Sequence, residues 1–198
     1  MTGIPSILSG MEYDCRPPRN VHDSELHAEM KQLPQSHPLS IFTDTAFLHC
    51  SMLSIPLRIK LCAQVNSLHS CKYFQDTLEN SKDVQNALDR LPNWTEKHSL
   101  HASTLLDLQL RQFLVILHTP KALHTLIPSN RYSIFTALEA SDTMIKKHMK
   151  LMEAKNFALC CIRSDYLRAA LLICHITYHA SITKGTSISR VKEKAGSI

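Results

Sequence analysis

The sequence predicts an all-α protein: an irregular helical bundle preceded by an extended, proline-rich N-terminal arm. Three observations carry this. Leucine-rich stretches dominate and runs of Val, Ile and Thr are few, which favours helix over strand. Glycine is scarce, 4 residues in 198, which argues against folds rich in tight turns or phosphate loops. Five of the nine prolines (Pro5, Pro17, Pro18, Pro34 and Pro38) fall in the first forty residues. Proline lacks the backbone N–H and clashes with the preceding turn, so that density blocks long helices. Apolar residues make up 44% of the chain, enough to bury a core.

The elements follow in order. Residues 1–42 read as the arm, with one short helical turn over Ser24–Lys31 that Ser24 could cap. The bundle spans 43–182. From Thr43 to Leu68, apolar residues recur at three- and four-residue spacing, and Pro56 is expected to kink or divide that helix. A short helix or turn is expected at Cys71–Leu78. Another helix runs over Ser81–Leu91, with Ser81 as its N-cap and Pro92 beyond its end.

Ser99–His118 is apolar nearly all round, as in a helix at the centre of a bundle, and Pro120 is expected to end it. Arg131–Ala154 is amphipathic. Ile134, Phe135, Leu138, Ile145, Met149 and Met152 form its inner side, and Lys146, Lys147 and Lys150 its outer side. The last helix is expected over Asn156–Ser181, with Ile162, Leu167, Ala170, Leu171, Cys174 and Tyr178 inward and Gly185 as a stop. Residues 183–198, rich in Ser and Lys, read as a disordered basic tail.

The net charge is +5, mildly basic, and it is thinly spread. Lys146, Lys147, Lys150 and Lys155 read as a solvated helix face, and Lys184, Arg190, Lys192 and Lys194 as a frayed end. There is no basic stripe or recognition helix of the kind that reads DNA. The N-terminus has no basic n-region and too short an apolar run, so no signal peptide is expected. Arg163, Asp165 and Arg168 interrupt the most apolar stretch, so no membrane span is expected, and the chain is expected to be soluble and intracellular. The seven cysteines, at 15, 50, 62, 71, 160, 161 and 174, form no C-x-x-C pair and read as reduced, buried apolar residues.

No chemistry-bearing motif emerges. His175 and His179 have the spacing of half a zinc site, but the run is HITYH, with no acid to complete it. His98 and His101 are equally incomplete. Cys160 and Cys161 have no framing base or oxyanion hole. The acid pairs Asp83 with Asp89 and Asp76 with Glu79 make no aspartate-rich box for magnesium and diphosphate. No catalytic, cofactor-binding or metal-ligating residue is assigned, no cofactor is expected, and the chain does not read as an enzyme.

Two segments carry a resemblance. Gly3–Leu26 has Gly3-Ile4-Pro5, then Asp14, Pro17, Pro18, Asn20, Asp23, Glu25 and Leu26. Leu106–Leu123 is a leucine-rich helix closing in Leu117-His118-Thr119-Pro120. In order and spacing these resemble the middle homology region of fungal transcription factors of the binuclear zinc-cluster family, with Thr119 where that family has a basic residue. Thr43–Asn66 and Ile134–His179 sit where the family has further helices. The family's six-cysteine DNA-binding cluster has no counterpart here, since Cys15 and Cys50 are 35 residues apart.

The resemblance implies a nuclear, transcription-regulator-like protein. It would control a metabolic, even secondary-metabolite, gene cluster without reading DNA itself. A truncated homologue with its packing helices missing would expose an apolar face. Its expected partners are a full-length zinc-cluster factor or a second copy of itself. The alternatives are an inactive helical remnant or gene-model fragment, and a small-molecule-binding helical module. The matched motifs read as fold determinants: Gly3 and the prolines set the path of the arm, and Leu117–Pro120 ends a buried helix.

Overall fold

A computed structural model describes residues 15–66, 74–124 and 127–195, with side chains through residue 182, Phe74 and Cys160 excepted. Gly3-Ile4-Pro5, Asp14, the start of the segment expected at Cys71–Leu78 and the last three residues of the tail lie outside that description. Seven α-helices and three short 3-10 turns make up the regular structure of the described residues: α1 (Ala46–Leu53), α2 (Ile55–Asn66), α3 (Phe74–Asp89), α4 (Leu100–Ala122), α5 (Arg131–Glu153), α6 (Ala158–Ile162) and α7 (Asp165–Ala195). The architecture is the expected all-α bundle.

α4 is the axis. It packs against α1, α2, α3, α5 and α7, most extensively against α5. Leu108, Leu110, Phe113, Leu114, Val115 and Leu117 point to different sides of the helix, and all are buried. Burying each such side chain contributes about 1.5–3 kcal/mol, which is why an all-round apolar helix takes the centre. α5 meets it with a face of small residues, Ser133, Ala137, Ala140 and Ser141, followed by Met144, His148 and Leu151. Small side chains let two backbones approach closely. That contact turns Phe135 and Met149 outward, 69% and 47% exposed, against the inner placement expected for both.

α1 and α2 are the divided helix that Pro56 predicts, bent by 47° at Ser54. Proline is tolerated there because it opens the second helix, where its missing N–H has no intrahelical partner. α3 runs through Ser81, so Ser81 is not an N-cap. It is buried in mid-helix, its hydroxyl donating to the Thr77 carbonyl at 2.7 Å. α4 runs through Pro120 and ends at Ala122, about one turn later than expected. The ring removes only the donor that would reach Ile116, and the Thr119 hydroxyl donates to the Val115 carbonyl at 2.6 Å.

α5 closes in a Schellman motif. Lys155 N–H donates to Met152 O at 2.8 Å, and Asn156 N–H to Leu151 O at 2.9 Å, with Lys155 at φ 60° where glycine is usual.

The last helix is two, not one. Arg163 is extended (φ −104°, ψ 127°), which brings its guanidinium to 2.7 Å from the carboxylate of Asp165, only 5% exposed. A carboxylate that deep must be paired, and this requirement breaks the helix. Past Gly185 the backbone stays helical to Ala195, through most of the segment expected to be a disordered tail. A single glycine costs a helix about 1 kcal/mol and need not end it.

The arm has little regular structure, but hydrogen bonds pin it. Asn20 is fully buried: its amide donates to the carbonyls of His37, Pro38 and Ile41, and its carbonyl accepts from the Thr43 hydroxyl at 2.6 Å. The expected turn shortens to Asp23–Glu25, where Glu25 rather than Ser24 serves the cap by accepting the His22 N–H at 2.7 Å. The Trp94 indole N–H donates to the Leu39 carbonyl at 2.9 Å, and Phe42 packs edge-on against its ring, which docks the arm on the loop before α4. No single helix among the described residues is long and apolar enough to cross a membrane.

Candidate functional site

Two features stand out: a polar brace inside the bundle and an apolar groove on its surface. The brace centres on His118, fully buried on α4. Its Nε2 lies 2.6 Å from Ser81 Oγ on α3 and its Nδ1 3.0 Å from Ser133 Oγ on α5. Ser81 already spends its proton on Thr77, so Nε2 is the donor and Ser133 donates to Nδ1, the arrangement of a neutral ring. Burial, with Lys121 nearby as a lesser cause, lowers its pKa from 6.5 to about 4. The Leu117-His118-Thr119-Pro120 segment therefore fixes three helices to one another.

Two ion-pair groups extend this framework. Asp107 receives Arg111 through both Nε and Nη2, at 2.7 and 2.8 Å, and Lys147 approaches it at 3.3 Å. Asp165 is held by Arg163 and lies 3.6 Å from Nε2 of the fully buried His148. None of Ser81, Ser133, Asp107, Arg111 or Asp165 stood out as a site in the sequence. A basic and an acidic residue four apart, as in Asp107 and Arg111, was the one available signal.

The groove runs along α7. The buried face of this helix is Ala169, Leu172 and Ile176, with Asp165 at its start. The residues expected inward face outward: Leu167, Leu171 and Tyr178 are 59%, 61% and 63% exposed, and Ile162 on α6 is exposed as well. Leu167, Leu171, Cys174, Tyr178 and Ile182 recur every three to four residues, so they form one apolar seam. With Thr119 and Leu123 from the end of α4, its members Leu167, Leu171, Cys174 and Tyr178 wall a groove of about 730 Å³. Its lining includes Arg168 and His175 but no acid.

The other residues weighed from the sequence make no site. The His175 and His179 rings lie 4.4 Å apart, but no cluster of three or more metal-ligating side chains exists among the described residues. His101 meets the Asn156 amide, and His98 packs on Phe42. Asp83 pairs with Lys60, and Asp89 accepts from Gln85. Cys50 is buried as expected, but Cys15, Cys161 and Cys174 are exposed.

Leu167, Leu171 and Tyr178 thus leave an exposed apolar seam on a braced helical frame. The chain is 27% identical over 129 residues to Transcription factor lepE of Aspergillus flavus, covering 62% of this chain and 15% of that protein. It is 26% identical over 129 residues to Transcription factor phm2 of Pyrenochaetopsis sp., covering 59% of this chain and 17% of that protein. The chain is thus similar to fungal transcription factors. It spans less than a fifth of the length of these curated relatives. No family model and no solved structure matches it.

Proposed function

We propose that this chain is a transcription-regulator-like protein that acts in the nucleus through association with another protein, and that it serves a metabolic gene cluster. The observation that carries the reading is the similarity to two named fungal transcription factors over about three fifths of the chain. The same similarity supports a non-enzymatic role.

The groove on α7 supports association as the mode of action. Apolar side chains more than half exposed along one helix favour burial against a partner, and each gains on leaving water. A full-length zinc-cluster factor or a second copy of this chain is the proposed occupant. These 198 residues hold no six-cysteine cluster, and the reading assigns them association rather than recognition of a DNA sequence.

The test is a tethering assay. The chain is fused to a heterologous DNA-binding domain in a fungal host and transcription of a reporter is measured against that domain alone. A change in reporter output that Leu167→Asp/Leu171→Asp removes, with the fusion present in the nucleus at equal amount, supports the reading. No change from the unmodified fusion under the same conditions refutes it.

A further inference from the structure

A second cavity, away from the groove, lies between the loop that carries Trp94, the first turns of α4 and the end of α5, and encloses about 630 Å³. That volume suits one small organic molecule. One wall is apolar: Leu88, Leu91 and Trp94. The lining also carries Lys97, Lys147 and Lys150, against two acids, Glu96 and Asp107.

Asp107 is already neutralised by the two-pronged contact with Arg111, so positive charge is in excess. Lys97 and Lys150 have no acid partner among the described residues. Thr104 lines the same cavity. It is only 3% exposed, and its hydroxyl has no hydrogen-bond partner among the described residues. A ligand oxygen in the cavity could accept a hydrogen bond from that hydroxyl.

We propose that this cavity binds an amphipathic organic carboxylate, with its apolar body against Leu88, Leu91 and Trp94 and its carboxylate between Lys97, Lys150 and the Thr104 hydroxyl. The half-apolar lining and the two unpaired amines fit a monoanion with a hydrocarbon body better than a multiply charged phosphate compound. Lys150, which reads from the sequence as part of a solvated face, thereby acquires a ligand. The inference does not rest on a role in transcription and is tested on the purified chain.

Trp94 is the single tryptophan and lines this cavity, so indole emission reads its surroundings without interference from another indole. The purified chain is titrated with phenylbutyrate, with neutral phenylbutanol and with inorganic phosphate. The expected result is a saturable change in Trp94 emission with phenylbutyrate, at an affinity about tenfold tighter than for phenylbutanol, and no response to phosphate. Lys97→Gln/Lys150→Gln, which alters only exposed side chains, should abolish that preference while the helical circular dichroism and the melting temperature stay unchanged.

The proposal is overturned by any of three results: no saturable change below about 1 mM phenylbutyrate, equal affinity for acid and alcohol, or undiminished acid binding in the double variant. A response to inorganic phosphate equal to that of phenylbutyrate also overturns it, since the cavity would then be only a counter-ion patch. The reporter assay on the fusion is independent of these outcomes, so failure of one reading leaves the other standing or falling by itself.

Discussion

α4 and α7 are both long, leucine-bearing helices, and they end in opposite situations. α4 buries leucines on every side, whereas α7 buries Ala169, Leu172 and Ile176 and leaves Leu167, Leu171 and Tyr178 in water. Their composition does not account for this. α4 is surrounded by five helices, whereas among the described residues α7 packs mainly against α5. The burial of an apolar residue depends on the neighbours available to it, and a helix at the edge keeps part of its apolar surface outside. The inner helix is therefore the stability determinant, and the outer one is a surface still able to gain from association.

The largest effect that would break this contrast is a cavity in α4. Phe113→Ala should lower the free energy of unfolding by about 4 kcal/mol, measured by urea denaturation. A loss below ~1 kcal/mol would mean that α4 is not the packed axis.

Next is the buried histidine. Its pKa lies at about 4 in the folded chain and near 6.5 when unfolded. Between those values the unfolded state binds the proton and the folded state does not. The stability linked to His118 is therefore complete above pH 6.5 and is lost as the pH falls toward 4, by about 3 kcal/mol. Glu25 is held below its usual range by the His22 backbone N–H and by His37, so acid loosens the arm as well. Subtracting the pH profile of His118→Gln isolates the histidine, and parallel profiles for the two proteins would contradict its neutral, buried state.

A smaller change sharpens the comparison at the end of α5. Lys155 holds φ 60° in a position that suits glycine. Lys155→Gly should raise stability by about 1 kcal/mol, read as a higher urea midpoint at unchanged slope. The smallest expected effect is on the outer helix: Leu171→Ala should change the stability of the isolated chain by less than about 0.5 kcal/mol. A loss as large as that of Phe113→Ala would show that the groove is part of the core rather than a surface.

The sequence was most readable where one local signal sufficed. An unbroken apolar run marked α4 as central, Pro56 marked the bend between α1 and α2, and Arg131–Ala154 came within one residue of α5. It was least readable where two faces of a helix were both apolar. In α7, Leu167, Leu171 and Tyr178 compete with Ala169, Leu172 and Ile176, and larger side chains looked like the core. In α5 the same ambiguity set Phe135 against Ala137 and Ala140. The groove escaped sequence reading for that reason, and the cavity beside Trp94 did so because its walls lie far apart in the chain.

By itself the sequence determined the helical class, the central helix and the residues of two motifs, because periodicity and proline act over a few neighbouring positions. Only the tertiary structure decided what those motifs do. Asn20 closes the arm onto three carbonyls up to 21 residues away, and His118 finds serines 37 and 15 positions distant. It also decided which face of α7 meets water. Burial and hydrogen-bond satisfaction are properties of surroundings, and those surroundings exist only once distant segments have packed.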